Sequence, residues 1–526
     1  MTGRFTMHES QRLELNEAST TDEIRAELRR LVSLSPLQTQ RGIEMIARST
    51  GVGKRVLHQE LKEVVREETG AQDSAHLVAN VVLRDDFANG KHIMRLSDGA
   101  FWVYNGQYWR RVLDEEIRSV IAKRVPQAGI RGWDGLRALT DDTISLLRAM
   151  CFRNDDPLRF LEALPTRVCL INGELDLEGH EGLRDHSPMS YLRVAMDVAY
   201  DARAKAPIFE KVTLDAMGGD MEMQRHLLEV MAACLFPVKR FAMFALWIGT
   251  GSNAKSLLKE VLESLAGPAA HSSSIHDVFV NQFSPNGLVS KSILIDDDVD
   301  YSKPLPVAQI KKVSESKRMR GEVKRGDEFF FICAVTPLLL SNGFPPVRDT
   351  SYGFARRANV IPFRQRYVPQ RDAGAAACDL GYATVAEAID AGQITIADPW
   401  LPSKLKAEKS GILNVLIEAL HRVLKRGGFD EPQSCLDARD EWRVATDSVL
   451  SFVKSECVRG PEKKCKLSEF KERYFLWCES NRYQPKATNS ISNSLRDNGI
   501  SVTATNGVLY VRGIDLNSIT RLGQGA

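Results

Sequence analysis

The clearest alternation of apolar and polar positions lies in the first third of the chain. Residues 92–112 contain three short alternating stretches, which are separated by Ser97-Asp98-Gly99 and Asn105-Gly106. Asn-Gly and Asp-Gly pairs suit tight hairpin turns, because these residues reach positive φ at little cost. The pattern predicts a small antiparallel sheet, followed by helices to about residue 153 and by another hairpin at 170–177.

Helical spacing of apolar residues marks both ends of the chain. It runs from residue 19 to 68, and the part from 40 to 61 has the pattern of a helix-turn-helix, which could serve either DNA contact or protein contact. Residues 435–515 predict three helices, the first ending near residue 453, and then a hairpin, which is the order of a winged helix. Residues 371–402 are rich in Ala and Gly, so we expect a linker or an insertion there.

A wholly apolar stretch in the middle of the chain ends at a glycine-bearing loop. Residues 244–248 are apolar, GTGSNAKS follows at 249–256, and helix-forming residues come next. This is the context of a phosphate-binding loop, in which backbone N–H groups face the phosphates, Lys255 adds a charge and Ser256 can hold Mg²⁺. The candidate ATP-binding residues are Gly249, Gly251, Asn253, Ala254, Lys255 and Ser256. A glycine-rich turn without a ligand is the alternative.

One residue of this loop departs from the pattern G-x-x-x-x-G-K-[ST]. Ala254 stands where a glycine is usual. Alanine accommodates a helical backbone but is strained at positive φ. We therefore expect the substitution to be harmless if Ala254 is helical, and the ATPase to be slow if its backbone is strained.

Acidic residues follow a predicted strand downstream of the loop. Residues 291–300 read KSILIDDDVD, an apolar run that delivers carboxylates at its end. In a nucleotide-hydrolysing α/β core, Mg²⁺ and the attacking water lie at that edge of the sheet. Asp296 is placed for the metal, and Asp297 occupies the position where a water-polarising Glu is usual. A solvated acidic strand end is the alternative.

Two further predicted strands carry polar side chains. One ends at Asn342, and we expect that end to lie next to the end of the Asp296 strand. Arg356 and Arg357 stand just before the other strand. Arginine stabilises charge on a transferring phosphoryl group, either in cis or from a neighbouring subunit.

Two candidate DNA-contacting surfaces are local, because the whole chain has a net charge of only +2. Residues 311–325 hold seven Lys or Arg against two Glu, which suits neutralisation of phosphates, although such a run is often only a solvated face. The third helix of the predicted winged helix would face a groove unless that domain contacts protein. The candidate DNA-binding residues are Lys317, Arg318, Arg320, Lys324, Arg325, Lys486, Asn489 and Arg496.

The length and composition of the chain indicate its number of domains and its cellular compartment. A chain of 526 residues is too long for one core, so we expect roughly two to four domains. The nine cysteines form no C-x-x-C pair, which favours reduced thiols in the cytoplasm and disfavours zinc at Cys457, Cys465 and Cys478. The absence of a signal peptide and of an 18-residue apolar run disfavours secretion and membrane partners.

In combination, these motifs resemble the superfamily-three helicases, and more closely the helicase half of phage, plasmid and poxvirus-type helicase-primases. The residues that carry the resemblance are GTGSNAKS (249–256), ILIDDD (293–298), LLSNGFPP (339–346) and DTSYGFARRANVIPF (349–363). Further similarity lies in LINGELDL (170–177), APIF (206–209) and KAEKSGILNVLIEAL (406–420). The resemblance covers roughly residues 80–430.

The resemblance implies an AAA+ ATPase that assembles as a hexameric ring and moves 3′ to 5′ along single-stranded DNA, with ATP and Mg²⁺. It implies that Lys255 and Ser256 bind phosphates and Mg²⁺, and that Asp296 and Asp297 form the acidic pair. It also implies that Asn342 senses the γ-phosphate, that Arg356 or Arg357 reaches the neighbour's site, and that a hairpin tipped by Lys324 and Arg325 enters the pore.

We therefore expect an α/β protein with an AAA+ P-loop core, an α+β N-terminal region and a C-terminal winged helix. The expected divisions are 1–72 (helical), 76–215 (α+β), 216–370 (helicase core), 371–432 (linker and helical extension) and 433–526 (winged helix). About 75 mostly helical residues precede the middle domain, too few for a primase, so no primase activity is expected.

The expected function is that of an ATP-dependent replicative DNA helicase of a phage or other mobile element. Its expected partners are single-stranded or forked DNA, further copies of the chain, and a separate primase or initiator. Two alternatives stay open. One is an origin-binding initiator that melts or remodels DNA, and the other is a nucleotide-bound assembly platform with little hydrolysis.

Overall fold

The computed structural model describes residues 15–32, 34, 36–69, 74–128, 136–153, 160–179, 182–251, 253–280, 284–300, 302–322, 328–347, 352–481, 483 and 485–517. The chain forms two compact units, one from residues 1–95 and 112–153, the other from 96–111 and 154–526. In these described ranges, no helix is both long enough and apolar enough to span a bilayer.

The first unit is mostly helical. Its elements are α1 (Thr21–Leu31), α2 (Pro36–Thr50), α3 (Lys54–Thr69), α4 (Ser74–Asp86), β1 (Ile93–Arg95), α5 (Asp114–Arg124) and α6 (Leu136–Met150). Thr20 caps α1 in a reciprocal arrangement, because its hydroxyl accepts from the Glu23 N–H and the Glu23 carboxylate accepts from the Thr20 N–H. The three helices predicted before residue 69 are confirmed, whereas α4 was not predicted.

The second unit begins with two hairpins. Strands β2 (Phe101–Tyr104) and β3 (Trp109–Val112) are neighbours, and the Asn105 side chain accepts from the N–H groups of Gln107 and Tyr108 in the turn between them. Strands β4 (Arg167–Leu170) and β5 (Gly173–Asp176) pair antiparallel. The hairpins predicted at Asn105-Gly106 and at 170–177 are therefore confirmed.

A parallel sheet forms the centre of the second unit. Its elements are α7 (Pro207–Ala216), α8 (Met221–Leu235), β6 (Phe244–Ile248), α9 (Lys255–Ala266), β7 (Ala270–Ser272), α10 (Asp277–Val280), β8 (Ile293–Asp296), α11 (Val307–Ser314), β9 (Arg318–Glu322), β10 (Glu328–Ile332), β11 (Thr336–Ser341), α12 (Tyr352–Ala355) and β12 (Ala358–Pro362). The five strands of the sheet lie in the order β12-β6-β11-β8-β7, all parallel. Their apolar runs are buried, as expected for a sheet covered on both faces. Strands β9 and β10 form a separate antiparallel hairpin.

Residues that follow the sheet fold into a small insertion and two helices. The elements are β13 (Arg366–Val368), α13 (Ala373–Asp379), α14 (Val385–Asp390), β14 (Ile394–Ile396), α15 (Leu401–Ala407) and α16 (Lys409–Arg426). Strands β13 and β14 pair in parallel, and Val368, Ala376, Ala388 and Ile394 share a core. Residues 371–402 thus contain regular secondary structure and contribute to a small core.

The C-terminal part combines four helices with a three-stranded antiparallel sheet. Its elements are α17 (Gln433–Thr446), α18 (Ser448–Glu456), β15 (Cys457–Lys466), α19 (Leu467–Ser480), α20 (Thr488–Asp497), β16 (Val502–Thr505) and β17 (Val508–Leu516), with the strands in the order β15-β17-β16. The prediction of one helix from about residue 435 to 453 is wrong. Asp447 ends α17 and caps α18, since its carboxylate accepts from the Val449 N–H at 2.9 Å.

Helix α16 joins two of the segments that carry the family resemblance. The Glu408 carboxylate accepts from the N–H groups of Ile208 and Phe209 at 3.1 and 2.9 Å, which satisfies the first turn of α7. At Gly411 the helix lies so close to the Lys205 carbonyl group that a Cβ would overlap it. The APIF segment and the segment at 406–420 are therefore in direct contact.

Gly411→Ala tests this contact. We expect the substitution to destabilise the second unit by about 1–3 kcal/mol, because the new methyl group would force α16 away from Lys205. Thermal unfolding followed by circular dichroism measures the effect. Gly374→Ala is the matched control, since Gly374 is also helical and its Cβ would meet no atom within 4 Å. Equal stability of the two variants would contradict the prediction.

Candidate nucleotide-binding site

The glycine loop begins where β6 ends, and its first glycine is sterically required. A Cβ on Gly249 would approach the Phe363 carbonyl oxygen to 2.5 Å and would overlap the Asn253 amide. Asn253 is buried and donates to the same Phe363 carbonyl at 3.3 Å. This hydrogen bond holds the loop against the end of β12. Gly251 has a φ of +95°, and Ser252 lies outside the described residues.

Ala254 adopts the backbone conformation that the sequence analysis identified as strained. Its φ is +64° and its ψ is −5°, in the left-handed region, directly before α9. For a residue with a Cβ this conformation costs about 1–2 kcal/mol. A penalty of this size changes an equilibrium by about ten-fold and does not exclude a bound nucleotide. The expectation of a slower ATPase thus gains support.

Lys255 is buried and connects the loop with the end of β11. Its ammonium donates to the Gly249 carbonyl at 2.6 Å, to the Ser341 carbonyl at 2.7 Å and to the Asn342 side-chain oxygen at 3.2 Å. These three acceptors are neutral. Burial lowers the pKa of Lys255 to about 8, and the nearby Asp298 carboxylate opposes that shift. Phosphate oxygens would stabilise the charged ammonium better than carbonyl oxygens do.

Asp296 lies at the buried end of β8, beside β11. Leu339 of β11 pairs with Asp296, so the predicted adjacency of the two strand ends is confirmed. The Asp296 carboxylate accepts from the Ile275 N–H at 2.7 Å, and burial raises its pKa. Asp296 and the exposed Ser256 hydroxyl at the start of α9 are oxygen donors of the kind that bind Mg²⁺ together with substrate phosphates. In the described ranges, no group of three His, Cys, Asp or Glu side chains is arranged for a metal.

Asp297 and Asp298, which follow Asp296, have different surroundings, and Asp297 is not the one that acts on Lys255. The Asp297 side chain is 65% exposed and lies 3.3 Å from the Lys259 ammonium, on α9. Asp298, which the sequence analysis did not single out, is the carboxylate that acts on Lys255. Its place in the acidic run that follows the predicted strand was the available signal.

The paired arginines have separate surroundings. Arg357 is buried, and its guanidinium pairs with the Glu315 carboxylate and donates to the Gly353 carbonyl. Arg356 is exposed. The sequence left both residues as candidates for a finger that reaches a neighbouring subunit. The charge of Arg357 is paired within its own chain.

The basic hairpin is only partly described. Arg318 lies over the Phe330 ring at 4.0 Å and pairs with Glu162 at 2.8 Å, and Arg320 pairs with Glu328 at 2.8 Å. Lys317 pairs with Glu315. Exposed ion pairs contribute about 0–1 kcal/mol, so DNA phosphates could displace these carboxylates. The predicted tip, Lys324 and Arg325, lies outside the described residues.

In the C-terminal part, one of the three candidate DNA contacts has a structural role. The Lys486 ammonium lies 2.7 Å from Asp447, whose carboxylate is fully buried, and 3.3 Å from the Ser494 hydroxyl. Lys486 therefore neutralises a buried charge within its own chain, and a contact with DNA stays a prediction. Asn489 and Arg496 are exposed on α20.

Comparisons with known proteins agree with the resemblance of the motifs. Residues 80–218 match the family described as D5 N terminal like. Over 352 residues, 64% of the chain, the sequence is 22% identical to a candidate helicase of Acanthamoeba polyphaga mimivirus. The chain is thus similar to a candidate viral helicase and contains a segment similar to the D5 N terminal like family. The match covers 35% of the viral protein, so the chain spans about a third of the length of that curated relative.

Solved structures similar to this chain include two apo structures of the NrS-1 C-terminal region. The first aligns with a TM-score of 0.43 and 10% identity, and it covers 83% of this chain and 99% of that chain. The second aligns with a TM-score of 0.42 and 12% identity, and it covers 85% of this chain and 100% of that chain.

Single substitutions distinguish the two arginines. We expect Arg357→Ala to lower the stability of the second unit by about 1–3 kcal/mol, because it leaves the half-buried Glu315 carboxylate without this partner. Arg356→Ala is the matched control, and we expect its effect to be within about 0.5 kcal/mol. Thermal unfolding measures both. An equal loss of stability in the two variants would refute the assignment.

Ala254→Gly tests the strain in the loop. We expect the glycine variant to stabilise the second unit by up to about 1 kcal/mol, since the left-handed backbone of the folded chain no longer carries a Cβ penalty. Ala254→Val is the comparison, because a β-branched residue is worse in this region, and it should be less stable than the wild type. Thermal unfolding ranks the three. A valine variant as stable as the glycine variant would show that the backbone at 254 is not strained.

Proposed function

We propose that this chain is the ATPase and translocating part of a DNA helicase. One observation carries the proposal: a single edge of the parallel sheet brings together the glycine loop, Lys255, Asn342 and the buried Asp296. These are the parts that phosphoryl transfer needs, namely a phosphate cradle, a positive charge, a metal-binding carboxylate and a polar group near the γ-phosphate. ATP and Mg²⁺ are the proposed cofactors.

The strand order supports an AAA+ core at residues 216–370. After β6 the chain crosses to β7 at the far edge, fills the gap with β8 and β11, and then places β12 on the other side of β6. Ligands of open α/β sheets bind outside the carboxyl ends of strands at such a reversal of strand order. The glycine loop follows β6, at this point.

We propose that several copies form a ring in which Arg356 acts on the neighbour's nucleotide. Its exposure supports the role, because the side chain of a trans-acting arginine must extend from its own subunit to the neighbour's site. We propose six subunits, 3′-to-5′ movement and an origin in a phage or other mobile element from the resemblance of the motifs alone. The five divisions of the chain are proposed on the same basis, and the absence of primase activity stays a prediction.

DNA is the proposed track. In this proposal the hairpin of β9 and β10 grips the backbone through Lys317, Arg318 and Arg320, with Lys324 and Arg325 at its tip. The proposed winged helix at 433–526 would place Asn489 and Arg496 near DNA. A separate primase or initiator is the proposed protein partner, and the bacterial cytoplasm the proposed location.

Lys255→Ala is the central test. We expect the wild type to hydrolyse ATP, to be stimulated by single-stranded DNA and to separate a 3′-tailed fork. The variant should lose at least about 100-fold in hydrolysis, because the ammonium that stabilises the phosphates is removed. Hydrolysis by the wild type that is no faster than that of the variant would refute the helicase.

Mixed assemblies test the neighbour's contribution. We expect Arg356→Ala subunits to inhibit wild-type subunits more than in proportion to their fraction, because each variant subunit disables an adjacent site. ATPase is measured across mixing ratios at constant total protein. A linear loss of activity with the fraction of variant would argue against a trans-acting arginine.

The backbone of Ala254 favours a second candidate function, a nucleotide-bound assembly platform with little hydrolysis. Its strain supports slow turnover without excluding binding. The same measurements separate the two functions. Tight ATP binding that depends on Lys255, together with hydrolysis near background in the presence of DNA, would identify the platform.

A further inference from the structure

A cavity of about 370 Å³ lies away from the glycine loop, at the amino-terminal edge of the parallel sheet. Ala269 and Ser292, which line it, directly precede β7 and β8, and Ala334 lies two residues before β11. The opposite wall comes from residues 160–196, within the segment that matches the D5 N terminal like family. Pockets for small molecules measure about 300–1,000 Å³, so the cavity suits a compact ligand.

Two hydroxyl groups of the lining have no hydrogen-bond partner among the described residues. They belong to Ser290 and Ser292, and Ser292 is only 4% exposed. Ser290 is held at a φ of +65°, in the left-handed region. Buried hydroxyls in proteins are nearly always hydrogen-bonded. A ligand with oxygen atoms at this wall would supply the missing partners.

The charge of the lining favours an anion. Lys291 lies between the two serines, is half-buried, and donates to the Pro268 carbonyl at 2.6 Å. Burial lowers its pKa, and no carboxylate pairs with it within the described ranges. Arg184, by contrast, is paired with the buried Glu174 at 2.8 Å. Lys291 is therefore a cation that a bound anion would stabilise.

Aromatic rings form another part of the wall. Phe160 and Tyr191 line the cavity with ring centroids 6.1 Å apart in an edge-to-face arrangement. Tyr191 is held at a φ of +50°, directly after a short 3₁₀ turn. Aromatic side chains stack on nucleobases whatever their identity, since every base has a π face. The cavity thus joins a surface for a planar ring with donors for a phosphate.

We propose that this cavity is a second nucleotide site and that it binds one nucleoside monophosphate. The phosphate contacts Lys291, Ser290 and Ser292, and the base contacts Phe160 and Tyr191. The site shares no residue with the glycine loop, so it does not depend on the helicase proposal. A free nucleotide and the phosphorylated end of a DNA strand present the same chemistry, and the size of the cavity favours the free nucleotide.

Binding measurements on the full chain carrying Lys255→Ala test the site apart from the glycine loop. We expect calorimetric titration with AMP to show one molecule bound per chain. Adding Lys291→Met should weaken that binding by about ten-fold or more, because a charge-assisted contact is lost. Adding Ser292→Ala, which removes one atom, should weaken it by about three-fold.

Ser264→Ala is the control, since the Ser264 hydroxyl bonds to the Val261 carbonyl of its own helix, away from the cavity. Circular dichroism checks that each variant is folded. If the Lys291→Met variant does not fold, the Ser292→Ala variant still tests the site. No AMP bound to the Lys255→Ala chain would overturn the proposal, as would equal affinities in the Ser292→Ala and Ser264→Ala chains. Binding of a 5′-phosphorylated oligonucleotide without binding of AMP would overturn the free nucleotide as the ligand.

Discussion

The buried ammonium of Lys255 is the interaction on which the candidate site depends. It joins the loop after β6 to the end of β11. Strand β8, beside β11, ends at Asp296, and strand β12, beside β6, begins just after Arg356. Neutral carbonyl oxygens compensate a buried charge only in part, which is why its pKa falls to about 8. A phosphate would complete that compensation, so the same lysine that orders the loop also favours its ligand.

Short apolar runs made the centre of the fold predictable. Strands β8 and β11 are wholly buried, and β6 is buried except at Ile248, so each contains a continuous apolar stretch that ends at a glycine or a polar residue. Strand β15 escaped prediction for the opposite reason. Most of its residues are exposed and many are charged, and it is a strand because β17 pairs with it. Pairing of that kind leaves little trace in local propensity.

The sequence predicted which residue types form the candidate site, but it did not predict the partners or the backbone conformation of each residue. Arg357 and Lys486 resemble free cations in the sequence, yet each is held by a carboxylate about 40 residues away, Glu315 and Asp447. No periodicity connects such partners. The sequence likewise did not determine the φ of Ala254, because the φ at this position is set by the path of the loop. The sequence could state the consequence of a left-handed alanine without deciding that it occurs.

Strand β8 connects the two proposed ligand sites. Asp296 ends it at the edge that carries the glycine loop, and Ser292 precedes it at the cavity. A strand of four residues has little freedom to bend, so a shift imposed at one end reaches the other. Any such coupling is reciprocal: if a ligand in the cavity alters ATP affinity by some factor, ATP must alter the affinity of that ligand by the same factor. This equality holds whatever path couples the sites, so a factor of one, measured for either ligand, would show that strand β8 transmits nothing between them.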